Sequence, residues 1–255
     1  MNAPQFTVRF AQSDTDIKAA QRLRYSVFVQ ELGGDGAFVD HAERLERDAF
    51  DSFSSHLLLI DETRNARALD HVVGVYRLLD AQGAAKAGQF YSESEYELGK
   101  LKASGRKLLE LGRSCLHADY RGGVGVFHLW NALAEHVAKQ KIEVLFGVAS
   151  FHGTDTDKLA EPLSLLHHRH HAPEALRVRA RQESFQTMNM LPEDKLDRRA
   201  AMLQVPALIK AYLRLGGVVG EGAFVDHAFN TTDVCLVLDT AQMNAKRRKL
   251  YEGRT

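Results

Sequence analysis

A stretch near the middle of the chain concentrates residues that could carry out chemistry. Positions 110–125 read ELGRSCLHADYRGGVG, and this pattern predicts a strand that carries Glu110 and Arg113. A carboxylate whose pKa is raised by partial burial can accept a proton directly or through water. The strand therefore predicts a general base at Glu110. The alternative is a structural ion pair with Arg113, Arg77 or Arg24.

The same strand leads into a glycine-rich turn and then into an amphipathic helix. Residues of this turn that suit an anion are Arg121, Gly122, Gly123 and Gly125. Backbone N–H groups at a helix start attract negative charge, and glycines let the backbone approach a phosphate closely. The turn therefore predicts a phosphate site, although it has neither a Walker lysine nor a dinucleotide-binding fingerprint.

The elements that must position this stretch follow from hydrophobic periodicity. We predict strands at 6–11, 56–61, 71–80, 107–117, 143–151, 217–226 and 233–239, and helices after Ser13 or Asp14, after the glycine turn, at 157–171 and at Pro206. Residues 91–104 suggest a loop with a short helical piece, and residues 174–205 show no clear period. This order predicts a single α/β domain, residues 1–240, with a mixed central sheet, an inserted helical segment and a polar basic tail at 241–255.

Composition is typical of a soluble globular protein. The 255 residues are 45% hydrophobic and 26% charged, and 33 Lys and Arg balance 33 Asp and Glu, which gives no electrostatic preference for nucleic acid. We see no signal peptide and no apolar run long enough to span a bilayer, so we expect a cytoplasmic protein whose membrane association, if any, is peripheral. Cys115 and Cys235 lie in apolar runs, which favours buried thiols over a disulfide or a nucleophile.

The succession of strand, glycine turn, helix and strand resembles the acyl-thioester-binding core of the GNAT acyltransferase superfamily. Tyr120, Gly123 and Gly125 fall in the register of its pattern Gln/Arg-x-x-Gly-x-Gly/Ala, with Tyr120 in place of the Gln or Arg. The resemblance implies two splayed central strands around a pantetheine arm, with phosphate at the helix start. The residues it implies for the acyl-thioester and phosphopantetheine are Leu116, His117, Arg121, Gly122, Gly123 and Gly125.

A second resemblance is more specific. Seven residues match, in order, the signature of acyl-homoserine-lactone synthases: Arg24, Phe28, Asp48, Asp51, Arg77, Glu110 and Arg113. Beyond that signature, FGVASFHGTD, LSLLHHRHHAP and GAFVDHAFNTTDVCLVLD are similar to the L-ornithine N-alpha-acyltransferase family, and the likeness runs from about residue 20 to 240. It implies transfer of a 3-hydroxy fatty acyl group from acyl carrier protein to the α-amine of ornithine, giving lyso-ornithine lipid. The donor is the carrier's acyl-phosphopantetheine, and no permanently bound cofactor is expected.

The chemistry that the resemblance implies suggests roles for single residues. The catalytic set is Glu110, Arg113 and Ser150, and the substrate-binding set is Arg24, Phe28, Asp48, Asp51 and Arg77. Glu110 would deprotonate the amine, and Ser150 or His152 would protonate the leaving thiolate unless they only cap a strand. Asp48 and Asp51 would bind ornithine's side-chain ammonium or stabilise a turn. One of the three arginines would hold the acceptor's carboxylate.

Basic residues follow the predicted helix at 157–171. Arg169, Arg177, Arg179 and Arg181 would suit an acidic carrier protein, although they could also form a solvated face. His167 and His171 lie one helical turn apart, but no glutamate completes an HExxH motif, so no metal is predicted. The basic run 246–249 either contacts anionic lipid headgroups or belongs to a free tail.

Two rival functions stay open at this point. One is the same transfer to glycine or tyrosine, or acyl-homoserine-lactone synthesis, and the other is a non-catalytic module that binds acyl carrier protein. The heptapeptide GAFVDHA also occurs twice, at 36–42 and 222–228. The copies lie in different contexts and are too short to mark a duplicated unit. We predict a structural role for the second copy, which ends a strand at Asp226, and assign no catalysis to the first.

Overall fold

The structure is a computed structural model that describes residues 3–122 and 124–243. Its strands are β1 (Phe6–Phe10), β2 (Val39–Asp40), β3 (Leu45–Glu46), β4 (Ser55–Asp61), β5 (Val72–Asp80), β6 (Tyr96–Glu97), β7 (Leu108–Leu116), β8 (Val144–His152), β9 (Arg179–Ala180), β10 (Phe185–Gln186), β11 (Val218–Val219), β12 (Ala223–Asp226) and β13 (Thr231–Asp239). Its helices are α1 (Asp14–Arg24), α2 (Ala81–Ala87), α3 (Gly99–Ala103), α4 (Val124–Gln140), α5 (Ala160–His170), α6 (Arg198–Gln204) and α7 (Ala207–Leu215). Within these two ranges, no helix combines the length and the apolar character that crossing a bilayer requires.

Helix α1 shows how local sequence starts an element. Ser13 is its N-cap, and the Ser13 side chain accepts a hydrogen bond from the Asp16 N–H at 3.2 Å. Acidic residues in the first turn and basic residues in the last turn match the helix dipole. The chain then continues as a π-helical segment, Tyr25–Glu31. Such segments often occur at functional sites, and this one carries Phe28.

The chain divides into two compact units. The first contains the described residues up to Gly88 and Leu111–Lys141, and its strand order is β1-β4-β5-β7. Strand β4 pairs antiparallel with β1 and with β5. Helix α1 packs through Ala19, Ala20 and Leu23 against the apolar side chains of β4 and β5. This unit therefore has its own hydrophobic core.

The second unit contains Gln89–Glu110 and the described residues from Ile142 onward. Its strand order is β7-β8-β13-β12-β10, and β11 pairs with β13. Strand β8 is antiparallel to β13 over nine residue pairs but parallel to β7, so the sheet is mixed, as predicted. The parallel register covers only Leu108↔Val144 to Glu110↔Phe146, although both strands extend further.

The segments with weak sequence patterns hold the shortest elements. Residues 174–205 contain β9, β10 and α6 between irregular stretches, and the acidic stretch before residue 53 contains the hairpin β2–β3, which periodicity did not predict. A two-residue strand is too short to show an alternating pattern. Both cysteines are buried and free, as predicted, and burial raises the pKa of the Cys115 thiol to about 12.

Candidate active site

A buried cluster of charged side chains lies in the first unit. Its members are Arg24 at the end of α1, Glu46 in β3, Asp48 and Asp51 after β3, Arg77 in β5 and Arg113 in β7. Five of these six were predicted as site residues. Glu46 was not, and the only signal was its place two positions before Asp48 in the same acidic stretch.

Arg24 is the most deeply buried member of this charged cluster. Its side chain is 0% exposed, its Nε donates to Glu46, and its Nη1 lies 2.7 Å from Asp51 Oδ1. Gln21 Nε2 donates to the second oxygen of Asp51 at 2.8 Å. Burial alone would raise the pKa of Asp51, but Arg24 outweighs it and holds that pKa below its ordinary value. Asp51 therefore stays ionised as the partner of Arg24.

Asp48 links the other two arginines. Arg77 Nη1 lies 2.6 Å from Asp48 Oδ1, and Arg113 Nη2 donates to Asp48 Oδ2. Arg113 Nε also donates to Glu46 Oε1 at 3.2 Å. Burial raises the pKa of Asp48, but the guanidinium groups of Arg113 and Arg77 outweigh it and leave that pKa lowered. The carboxylates predicted to bind an acceptor ammonium are thus already engaged by arginines.

Arg113 has an unusual backbone conformation for a residue in a strand. Its φ is +48°, in the left-handed region that residues other than glycine rarely adopt. A left-handed residue interrupts the alternation of side chains along β7, as in a β-bulge. Strain of this kind persists where surrounding contacts hold it, and two acidic partners hold Arg113 here. Phe28, the remaining predicted residue of this unit, is half-buried against the apolar core.

The glycine turn was predicted to bind phosphate. In the structure, its residues also serve backbone conformation, helix packing and hydrogen bonding. Gly122 has φ +75°, which favours glycine, and Gly123 lies outside the described residues. A Cβ on Gly125 would lie 3.0 Å from Leu59 Cδ2, so glycine lets α4 pack closely on β4. Tyr120 donates its hydroxyl to Asp61 Oδ2 at 2.6 Å.

Arg121 and its neighbours are also engaged. The Arg121 guanidinium binds both carboxylate oxygens of Glu31 and donates to the Leu116 carbonyl oxygen at 3.0 and 3.1 Å. The His117 N–H donates to the Val73 carbonyl oxygen at 2.9 Å. A cleft of about 490 Å³ lies at the start of α4, lined in part by Phe6, Tyr120, Val124 and His128. The helix start is therefore open to a ligand, while Arg121 is held by an acid.

In the second unit, Glu110 is bound by a short turn. Its Oε2 accepts the Tyr91 N–H at 2.8 Å, and its Oε1 accepts the Ser92 N–H at 2.6 Å and the Ser92 hydroxyl. Glu110 is 2% exposed and Ser92 is fully buried. These bonds give Glu110 a structural role, because the carboxylate anchors the turn, whereas the sequence suggested such a role only through an ion pair with an arginine. A group held this firmly is also well oriented for proton transfer.

Three other carboxylates meet in the same unit. Glu95, Asp226 and Asp233 bring one oxygen each to within 4.8 Å of one another, and we call them the acidic triad. Glu95 and Asp233 are both 4% exposed. Burial raises the pKa of the Cys235 thiol, and the charges of Glu110 and Glu95 raise it further. Both glutamates therefore lie within electrostatic range of one sulfur atom.

The two copies of the heptapeptide GAFVDHA place their aspartates in different surroundings, and only the second copy contributes to the acidic triad. Asp226, in the second copy, accepts the N–H groups of Ala228 and Phe229 at 2.8 and 3.1 Å, as the predicted structural role requires. Asp40, at the same place in the first copy, accepts the Glu43 N–H at 2.9 Å in the other unit. The sequence predicts that the strand ending at Asp226 lies near Asp233, but Glu95 was missed as their partner, since no spacing relates it to them.

The remaining predicted residues of the second unit lie on its surface or carry ion pairs. Ser150 and His152 are exposed on β8, in register with Asp233 and Thr231. The predicted docking arginines all have partners: Arg169 with Glu193, Arg177 with Glu174, Arg179 with Glu221, and Arg181 with the Glu93 carbonyl oxygen. The basic run 246–249 lies outside the described residues.

Known structures share this architecture. The chain is similar to FeeM, an N-acyl amino acid synthase from uncultured soil microbes, with 12% identity and a TM-score of 0.53 over 94% of this chain and 93% of that one. It is also similar to BjaI, a CoA-dependent acyl-homoserine lactone synthase, with 15% identity and a TM-score of 0.54 over 97% and 88%. These likenesses confirm the predicted fold.

Sequence comparison is more specific. Residues 23–131 match the family described as an acetyltransferase (GNAT) domain. The chain is 57% identical to an L-ornithine N(alpha)-acyltransferase of Rhodobacter capsulatus, over 98% of this chain and 95% of that protein. It is 38% identical to the Brucella abortus enzyme of the same name, over 96% and 88%. The chain therefore belongs to the L-ornithine N(alpha)-acyltransferase family and is an acyltransferase with a GNAT domain.

Proposed function

We propose that this protein transfers a fatty acyl group from a thioester to the α-amine of L-ornithine. The observation that carries the proposal is the 57% identity, over nearly the full chain, to a relative named for this acceptor. The product would be a lyso-ornithine lipid, a single-chain amphiphile. We expect the cytoplasmic enzyme to release it through a peripheral contact with a membrane.

The donor we propose is the 3-hydroxyacyl-phosphopantetheine of acyl carrier protein. Support comes from the open start of α4, a helix of 17 residues whose N–H groups and dipole favour phosphate. Arg121 would add a positive charge at the same place. Basic residues on the second unit, Arg169, Arg177, Arg179 and Arg181, would contact the acidic carrier.

Glu110 is the base we propose. Ornithine's α-ammonium gives its proton to the Glu110 carboxylate, and the free amine attacks the thioester carbonyl carbon to form a C–N bond. The C–S bond then breaks, the attacking nitrogen gives its second proton to Ser150, our candidate relay, and the Ser150 hydroxyl passes a proton to the thiolate. The net result is an amide and a free carrier thiol.

The acidic triad suits the acceptor's side chain. Ornithine differs from glycine and tyrosine in carrying a second ammonium group, and carboxylates are the groups that bind it. Asp48 and Asp51 each pair with an arginine. Glu95, Asp226 and Asp233 bring three carboxylates together, and the charges of Glu95 and Glu110 both raise the pKa of the Cys235 thiol. We therefore assign recognition of this ammonium to the acidic triad rather than to Asp48 and Asp51.

An acceptor panel tests the proposal. The protein is incubated with 3-hydroxyacyl carrier protein and, separately, ornithine, lysine, glycine, tyrosine or S-adenosylmethionine, and free carrier thiol is measured. We expect rapid release with ornithine and little with glycine or tyrosine. A parallel reaction with acyl-CoA compares the two donor types. If no amino acid releases thiol, the enzymatic proposal is wrong. If glycine or tyrosine is the preferred substrate, the acceptor is wrong.

A further inference from the structure

The turn that binds Glu110 combines two kinds of hydrogen-bond donor. The backbone N–H groups of Tyr91 and Ser92 can only donate. The Ser92 hydroxyl donates to the same carboxylate, but a hydroxyl can also rotate away or accept. Of these three bonds, the one from the Ser92 side chain is therefore the only one that can adapt when the charge of Glu110 changes.

The turn itself is held from several sides. Glu93 Oε2 accepts the Phe90 N–H at 2.8 Å, and Arg181 Nε donates to the Glu93 carbonyl oxygen at 2.6 Å. The Phe90 ring packs edge-to-face on Phe146, with 5.1 Å between ring centroids. With its backbone fixed in this way, the turn cannot withdraw its N–H groups when Glu110 takes up a proton.

We propose that Ser92 is a positioning residue that keeps Glu110 oriented in both of its protonation states. While Glu110 is ionised, the Ser92 hydroxyl donates to Oε1. After Glu110 has taken the proton of the acceptor's ammonium, the hydroxyl rotates and accepts the new O–H. This inference rests on the proposed function, because it requires Glu110 to act as the base.

Three variants test the inference: Ser92→Ala removes the hydroxyl, Ser92→Thr retains it, and Ser94→Ala is the matched control. Ser94 lies in the same turn, is exposed, and donates to the Tyr91 carbonyl oxygen rather than to Glu110. The measurements are kcat, KM for the carrier protein, the pH profile of kcat/KM, and Tm. Glu110→Gln is assayed beside them.

We expect Ser92→Ala to lower kcat roughly 10- to 100-fold with little change in carrier KM, because a misoriented base loses catalytic geometry. The acidic limb of its pH profile should move to higher pH, since loss of a donor disfavours a carboxylate anion. In Ser92→Thr and Ser94→Ala, the acidic limb of the pH profile should lie at the same pH as in the wild type. A residue that only supported the fold would change Tm and leave the limb in place.

An active wild type in which Ser92→Ala changes only Tm would overturn this inference alone. An active wild type in which Glu110→Gln keeps full turnover would overturn it together with the proposed base, while the proposed acyl transfer to ornithine would stand. An inactive wild type, with every acceptor and donor tried, would instead refute the proposed function and this inference with it.

Discussion

Arg24 and Asp51 form an ion pair in the interior of the first unit, with 2.7 Å between Nη1 and Oδ1 and no exposed surface on the arginine. Removing one partner of a buried pair leaves the other charge without compensation. We expect Arg24→Met to lower the free energy of unfolding by about 3–5 kcal/mol. Denaturant titration measures this change.

The control for that measurement is Lys158→Met, which removes an exposed pair with Asp155 whose lysine side chain is 82% exposed. We expect no measurable change in the free energy of unfolding for this variant, because an exposed ion pair contributes little to stability. If the two substitutions lowered the free energy of unfolding equally, the buried ion pair would contribute no more to stability than the exposed pair.

Asp61 predicts how stability falls in acid. Burial raises its pKa, but hydrogen bonds from Tyr120, Thr63 and the Gln5 N–H outweigh burial and lower the pKa from 3.8 to about 2. Because the folded pKa is depressed, the stabilisation is present above pH 3.8 and is lost as the pH falls toward 2. Asp61→Asn should therefore lose less stability than the wild type between pH 4 and pH 2.

A substitution at Gly125 distinguishes a role in helix packing from a role in phosphate binding. Because a Cβ there would lie 3.0 Å from Leu59 Cδ2, Gly125→Val should destabilise the protein by about 1–3 kcal/mol. Gly99→Ala is the control, since a Cβ at Gly99 meets no atom within 4 Å. We expect carrier KM to stay near the wild-type value in material that is still folded. A large rise in KM at unchanged stability would favour the phosphate role.

Glu31 should compete with the donor for Arg121. The Arg121 and Glu31 side chains are both about 40% exposed. An exposed ion pair contributes little free energy, so Arg121 can leave Glu31 for another anion. Glu31→Gln should lower the KM for the acyl carrier protein roughly threefold to tenfold at low salt, and Arg121→Gln should raise it. Asp155→Asn serves as an unrelated exposed control. An unchanged KM in both variants would exclude Arg121 from donor binding.

Asp226 tests the acidic triad as the acceptor site. Asp226→Asn keeps an oxygen that can accept the N–H groups of Ala228 and Phe229 but removes one charge of three. We expect the KM for ornithine to rise roughly tenfold and carrier KM to stay unchanged. Asp40→Asn, at the same place in the other GAFVDHA copy, should leave both values unchanged. Comparable effects of the two substitutions would contradict the assignment.

Residue patterns predicted the long elements well. Strands β4, β5, β7, β8 and β13 each show the apolar run or alternation expected of them, and α1 and α4 begin at predicted signals. The short hairpin β2–β3 could not be predicted, although it supplies Glu46 to the charged cluster. A strand of two residues is stabilised by its tertiary contacts and leaves no period in the sequence.

The sequence by itself determined the family, the order of the main elements and most members of the charged cluster, because these depend on residue types and on hydrophobic periodicity along the chain. Only the tertiary structure decided which groups form hydrogen bonds and ion pairs with these side chains. Glu110 is held by the N–H groups of Tyr91 and Ser92, and every residue except proline carries such a group, so no residue type marks the contact. Arg113 meets Glu46 and Asp48 through a left-handed backbone conformation that no spacing reveals. In the acidic triad, the antiparallel register of β12 and β13 brings Asp226 near Asp233, and Glu95 joins them from a distant position in the sequence.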